Sequence, residues 1–153
     1  KRKIKVNNKM YKFFIKKYYE PDLQKNFINN ILKLANTSID ISDGLIDDLK
    51  KMINKQKFSF HIFEEKIPVS KILSQLIKIK KLKKIDITSR GDDYQILFTA
   101  SPVKSRIIKK ISKITGVKIT KIGKIISGRN RSKIINLKNQ QIEAKNKGYI
   151  HQF

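Results

Sequence analysis

The sequence contains no cysteine and only two histidines, His61 and His151. Disulfide staples are excluded, and so is a zinc site built from Cys and His of this chain alone. Nucleophilic triads find no support, because there is no thiol and no His stands in a recognisable frame with a Ser. No apolar run is long enough to span a membrane, and nothing reads as a signal peptide. A reducing cytoplasm is therefore the expected setting. Glycine-rich nucleotide signatures are missing as well. Gly116 and Gly123-Lys124 are wrongly spaced for a phosphate loop, no Ser or Thr follows the Lys, and there is no G-x-G-x-x-G. The chain opens on Lys1 rather than Met, inside a basic helical pattern, and is expected to be a piece of a longer protein.

Acidic residues are scarce: 12 Asp and Glu stand against 36 Lys and Arg, a formal net charge of +24. Such a balance raises the case for a nucleic-acid partner. The lysines, however, are spread over nearly every segment together with Ile and Asn, and only five of the basic residues are Arg. Few aromatics lie among them in a stacking pattern. A general drift towards Lys, Ile and Asn produces the same picture, so nucleic acid is disfavoured and a basic nucleic-acid-binding module is kept only as an alternative. Against this background the acids are informative. Asp40, Asp43, Asp47, Asp48, Asp92 and Asp93 make up half of the 12 and fall in two short stretches. Gathering carboxylates costs repulsion unless cations or hydrogen bonds compensate.

The first stretch organises the chain. Ile39 and Ile41 alternate with Asp40 and Ser42 as in a strand, and Leu45, Leu49, Met52 and Ile53 then repeat at helical spacing. Ser42 or Asp43 is expected to cap that helix, with Gly44 relaxing the backbone at the switch. Free N–H groups at a helix start favour phosphate. Carboxylates meeting a phosphate need a hard cation such as Mg²⁺ between them. The simpler reading is a cap at Asp43, with Asp47 and Asp48 suiting the helix dipole. The second stretch, Gly91-Asp92-Asp93, also follows a predicted strand. Phosphoryl transfer needs mainly positioning and charge neutralisation, so two acidic turns without a side-chain nucleophile are compatible with it.

Along the chain of 153 residues, one domain's worth, helices are expected at 10–19, 23–34, 45–55 and 69–82, and from Ser101-Pro102 to Gly116. The first should pack Tyr11, Phe14, Ile15 and Tyr18 inward, and the second Phe27, Ile28, Ile31 and Leu32. Strands are expected at 58–62, at Ile85 and Ile87, and over 94–99 and 117–126, the last with a bulge at Gly123. Lys133–Leu137 should pair back as a hairpin strand after the turn at Gly128-Arg129-Asn130. His61 is expected to lie solvated on the outer face of its strand. The class is α+β: a mixed β-sheet with packed helices, partly ferredoxin-like.

Four segments now stand in order: I-D-I-S-D-G-L-x-x-D-L from Ile39, S-R-G-D-D-Y-Q-I-L-F-T from Ser89, K-I-G-K-I-I-S-G from Lys121, and G-Y-I-H-x-F from Gly148. Together they resemble the C-terminal half of thiamine-monophosphate kinase, of the aminoimidazole ribonucleotide synthetase superfamily, over nearly the whole chain from about Tyr18. The resemblance implies an ATP-dependent kinase that phosphorylates thiamine monophosphate to thiamine diphosphate. It implies that Asp40 and Asp43 bind Mg²⁺, that Ser42 touches ATP, and that Asp92 and Tyr149 contact the thiamine substrate. Read alone, Tyr149 is a tail aromatic covering the core. Arg90 stands where the family usually has Gly, and Gln95 replaces a common Glu. The resemblance also implies a missing N-terminal domain with most of the metal-binding aspartates, a homodimer when full length, and no kinase activity from these residues alone. A superfamily enzyme acting on another small molecule is the nearer alternative.

Overall fold

Asn7 opens the first helix, α1 (Asn8–Tyr19), its side-chain oxygen accepting from the Met10 N–H at 2.9 Å. The computed structural model that shows this describes residues 4–53 and 56–145. Glu20 and Pro21 end α1, and α2 (Lys25–Leu34) follows. Then come β1 (Thr37–Asp40), α3 (Leu45–Met52), β2 (Phe58–Phe63), α4 (Lys71–Ile79), α5 (Lys84–Thr88), β3 (Ile96–Thr99), α6 (Ser105–Thr115), β4 (Gly123–Ser127), β5 (Lys133–Ile135) and β6 (Gln141–Ile142). Gly116 closes α6 in the left-handed conformation that a helix C-terminus favours, as expected from its position.

The α+β class and the mixed sheet are as expected, with the strands divided between two sheets. β1 pairs antiparallel with β3, and the second sheet runs β4-β2-β5-β6. In it β2 is antiparallel to β4 but parallel to β5. The core lies between the sheets and α3: Leu45, Ile46 and Leu49 meet Phe60, Ile62, Ile67, Ile85, Leu97 and Ile134. Burying each such side chain contributes about 1.5–3 kcal/mol relative to exposure. The apolar face predicted for the α3 segment is thus real, and it anchors the start of that helix.

Several expectations fail for identifiable reasons. The Ile85/Ile87 segment is helical, not a strand. The Glu64 carboxylate accepts from the Ile85 N–H at 3.1 Å, capping α5 from a distant part of the chain. Lys133–Ile135 does not form a hairpin with β4, because β2 inserts between them. The Ser59 hydroxyl donates to Gly128 O at 2.6 Å and accepts from the Arg131 N–H, while Ser132 Oγ accepts from the Phe60 N–H. These bonds carry the connection across β2. The strand expected over 117–126 is limited to Gly123–Ser127, where the β2 ladder supplies partners. On α1 no residue is buried, and Tyr11 and Tyr18 are exposed rather than packed inward. On α2 only Phe27 and Leu34 are buried, while Ile28 and Leu32 face outward. His61 is half-buried. Among the described residues no helix is long and apolar enough to cross a membrane.

Candidate active site

The two acidic bends meet through their backbones. Past β1 the chain leaves the β1–β3 ladder at Ile41, whose N–H donates to Gln95 O at 2.9 Å. Ile41 O and Ser42 O then accept from the N–H groups of Tyr94 and Asp92, each at 2.9 Å. The glycines allow a close approach. A Cβ on Gly44 would lie 2.5 Å from Ser89 O, and one on Gly91 would lie 2.3 Å from Ser42 O. Both have positive φ, +123° and +90°, which glycine tolerates and other residues rarely adopt. Ser42 and Asp43 are thereby held against the Gly91–Asp93 bend.

The turn into α3 is built differently from its sequence expectation. Gly44, not Ser42 or Asp43, is the N-cap residue, and it has no side chain to satisfy the amides of the turn. That work falls to Asp48, which is 1% exposed. Its Oδ2 accepts from the N–H groups of Ser42, Asp43 and Gly44 at 3.0, 2.9 and 3.1 Å. The amides expected to receive a ligand phosphate are therefore already bonded to a carboxylate of the chain. Lys51 ties the cluster together: its ammonium donates to Asp43 Oδ2 and, at 3.0 Å, to Asp48 Oδ1. Asp43 first and Asp48 second raise the Lys51 pKa, since both stabilise the ammonium. Asp47 pairs with Lys50 at 3.0 Å on the helix surface.

Asp40, at the end of β1, is exposed. Its charge reaches the second bend at Tyr94. The Tyr94 hydroxyl lies 3.3 Å from Asp92 Oδ1. Asp92 chiefly, with smaller contributions from Tyr18 and Asp40, raises its pKa. Asp40, Asp92 and Tyr94 thus share one electrostatic neighbourhood. Asp93 is exposed as a residue, yet protein packed around its carboxyl removes hydration. That desolvation first, and the Asp92 charge second, push its pKa up to about 6. The Asp92 and Tyr94 backbones are left-handed, φ 58° and 50°, a costly state for a bulky side chain. Tyr149 lies outside the described residues. The single-chain pattern gave no sign of Asp48 or Tyr94 as site residues beyond their place in the two motifs, and none of Lys51, which lies outside both.

Oxygen donors of this kind suit Mg²⁺, which takes one or two carboxylates and completes its shell with phosphate oxygens and water. Asp40 and Asp43 fit that donor set. Among the described residues no three His, Asp or Glu gather into a complete metal cage. A cavity of about 400 Å³, lined by residues including Lys50, Ile53, Phe58, Ser59 and Arg129, opens at the far end of α3. It contains none of the predicted site residues.

No family model matches the chain. Against individual proteins it is 32% identical over 145 residues to thiamine-monophosphate kinase of Buchnera aphidicola subsp. Schizaphis graminum, covering 95% of this chain and 44% of that protein. The chain is homologous to part of the thiamine-monophosphate kinases. The enzyme of Buchnera aphidicola subsp. Acyrthosiphon pisum is 31% identical over 91% of the chain and 42% of its own length. Among solved structures, AaThiL complexed with AMPPCP and TMP matches with a TM-score of 0.71 at 24% identity, over 98% of this chain and 44% of that one. This similarity establishes the shared fold. The chain spans less than half the length of these relatives.

Proposed function

We propose that this chain is the C-terminal domain of an ATP- and Mg²⁺-dependent kinase that converts thiamine monophosphate to thiamine diphosphate, a cytoplasmic enzyme and a homodimer when full length. The observation that carries the reading is the backbone junction of the bends, Asp92 N–H to Ser42 O at 2.9 Å. It sits in a chain whose relatives over nearly its whole length are thiamine-monophosphate kinases. Asp40 and Asp43 are the carboxylates that hold Mg²⁺, Ser42 contacts ATP, and Asp92 and Tyr149 contact the thiamine substrate. Bound Mg²⁺ supplies neutralisation of phosphate charge, the chief demand of phosphoryl transfer. The chain's own contribution is positioning: the β1–α3 turn presents Ser42 and Asp43, and the Gly91–Asp93 bend presents an acid beside them. Lys51 balances Asp43 and the buried Asp48. The half of the relatives not covered here supplies the remaining metal ligands, so this chain alone has no kinase activity.

In a full-length protein carrying this sequence, Asp40→Asn or Asp43→Asn should lower Mg²⁺-dependent turnover of thiamine monophosphate by roughly 100-fold or more. The thermal midpoint should stay near that of the parent protein. Normal turnover in both variants would reduce the corner to a structural element.

A further inference from the structure

Asp48 has no part in the roles assigned above, yet its carboxylate accepts three backbone N–H bonds and one from Lys51. We infer that Asp48 is a positioning residue, an internal anion that clamps the Ser42–Gly44 turn and, through it, the facing bend at residues 89–94. That both bends serve one ligand rests on the function proposed above. The clamp itself rests on geometry alone. Convergent N–H groups are the device by which proteins hold bound anions. Here a side chain one turn into α3 occupies them from inside the fold, and the Asp48 N–H in turn donates to Gly44 O at 3.0 Å. Side chain and backbone of one residue thus fix both edges of the turn. The turn cannot shift by itself, because Ser42 O is bonded to Asp92 N–H and Gly44 lies against Ser89. Removing the carboxylate orphans three amides and leaves Asp43 as the remaining ion-pair partner of Lys51 among the described residues. Both consequences loosen the position of Ser42 and Asp43 without emptying the apolar core.

The test uses Asp48→Ala and Asp48→Asn in the full-length protein, read by amide hydrogen exchange and by steady-state kinetics. Asp48→Ala should speed exchange at residues 42–44 and at 92 and 94 by about tenfold or more, the scale of lost charge-assisted bonds. Exchange in the β2–β4 ladder should not change. Turnover should fall about tenfold or more with a smaller change in KM, as expected when groups are present but misplaced. Asp48→Asn retains an acceptor oxygen and should recover most of both losses. Uniformly faster exchange across the protein would make Asp48 an ordinary stabilising residue and overturn the proposal. So would loosened bends with unchanged turnover. If the parent protein shows no thiamine monophosphate kinase activity, the function proposed above fails, and the exchange pattern alone decides the clamp. Should Asp48→Ala fail to fold, Asp48→Asn decides: exchange at 42–44 must still rise by a smaller factor, and no rise overturns the clamp.

Discussion

The turn at residues 42–44 and the bend at residues 89–94 touch along their backbones but are held by opposite means. In the first, every amide from Ser42 to Gly44 is bonded to one buried carboxylate. The second keeps its shape through backbone states that are individually unfavourable. Asp92 and Tyr94 have φ of 58° and 50°, and the buried Ser89 hydroxyl has no hydrogen-bond partner among the described residues. Asp92 and Asp93 crowd each other's charge. Strained states of this kind cost about 1–3 kcal/mol each and persist only where the surroundings over-determine them. The surroundings here are the saturated turn. One bend is the scaffold, and the other carries the strain and the perturbed acid.

The largest test of that division is at the glycines. Gly91→Ala and Gly44→Ala each drive a Cβ into facing backbone, at 2.3 and 2.5 Å, and should cost about 3 kcal/mol or more in urea unfolding. Gly116→Ala is the control: its φ is +68° but nothing lies within 4 Å, so only the left-handed cost of about 1 kcal/mol remains. Equal losses at Gly91 and Gly116 would show that the bends are not interlocked.

A smaller effect is expected at Asp93. Its folded pKa of about 6 lies above the ordinary 3.8. As pH rises from about 4 to 6 the unfolded chain gives up this proton first, so the group removes stability across that window. Below it the contribution vanishes, and above it the penalty is constant. Asp93→Asn should therefore be neutral near pH 3 and stabilising near pH 7, by about 1 kcal/mol at most once solvent screening is allowed for. A pH series of unfolding midpoints for both proteins checks it. Smallest of all, Asp92→Asn should bring the Tyr94 phenol back towards its ordinary pKa, because Asp92 is the chief cause of its rise. Ultraviolet titration reads this directly, and an unmoved Tyr94 would separate the two side chains.

What could be read beforehand follows the range of the interactions. The passage from Ile39 through Leu49 was legible because both periodicities are local and each points to the same core. So was the end of α6 at Gly116, a matter of one residue's φ. Ile85 misled because its helix is capped by Glu64, which no window around Ile85 contains. The order of β4, β2 and β5 was hidden for the same reason, resting on Ser59 and Ser132 at separations of about seventy residues. The inward stripes expected of α1 and α2 were periodic but remain largely exposed among the described residues. Within the site, the two acidic stretches were apparent as chemistry. Their docking through Ser42 O and the role of Asp48 were not, since an aspartate in a first helical turn ordinarily faces water.

The seated Asp48 carboxylate also bears on discrimination. A stray sulfate or inorganic phosphate finds the amides at 42–44 already taken, and meets exposed Asp40 and Asp92 as repelling neighbours. On the function proposed above, the corner should turn away bare oxyanions and accept those escorted by a metal ion, so that common buffer salts should be poor competitors for it.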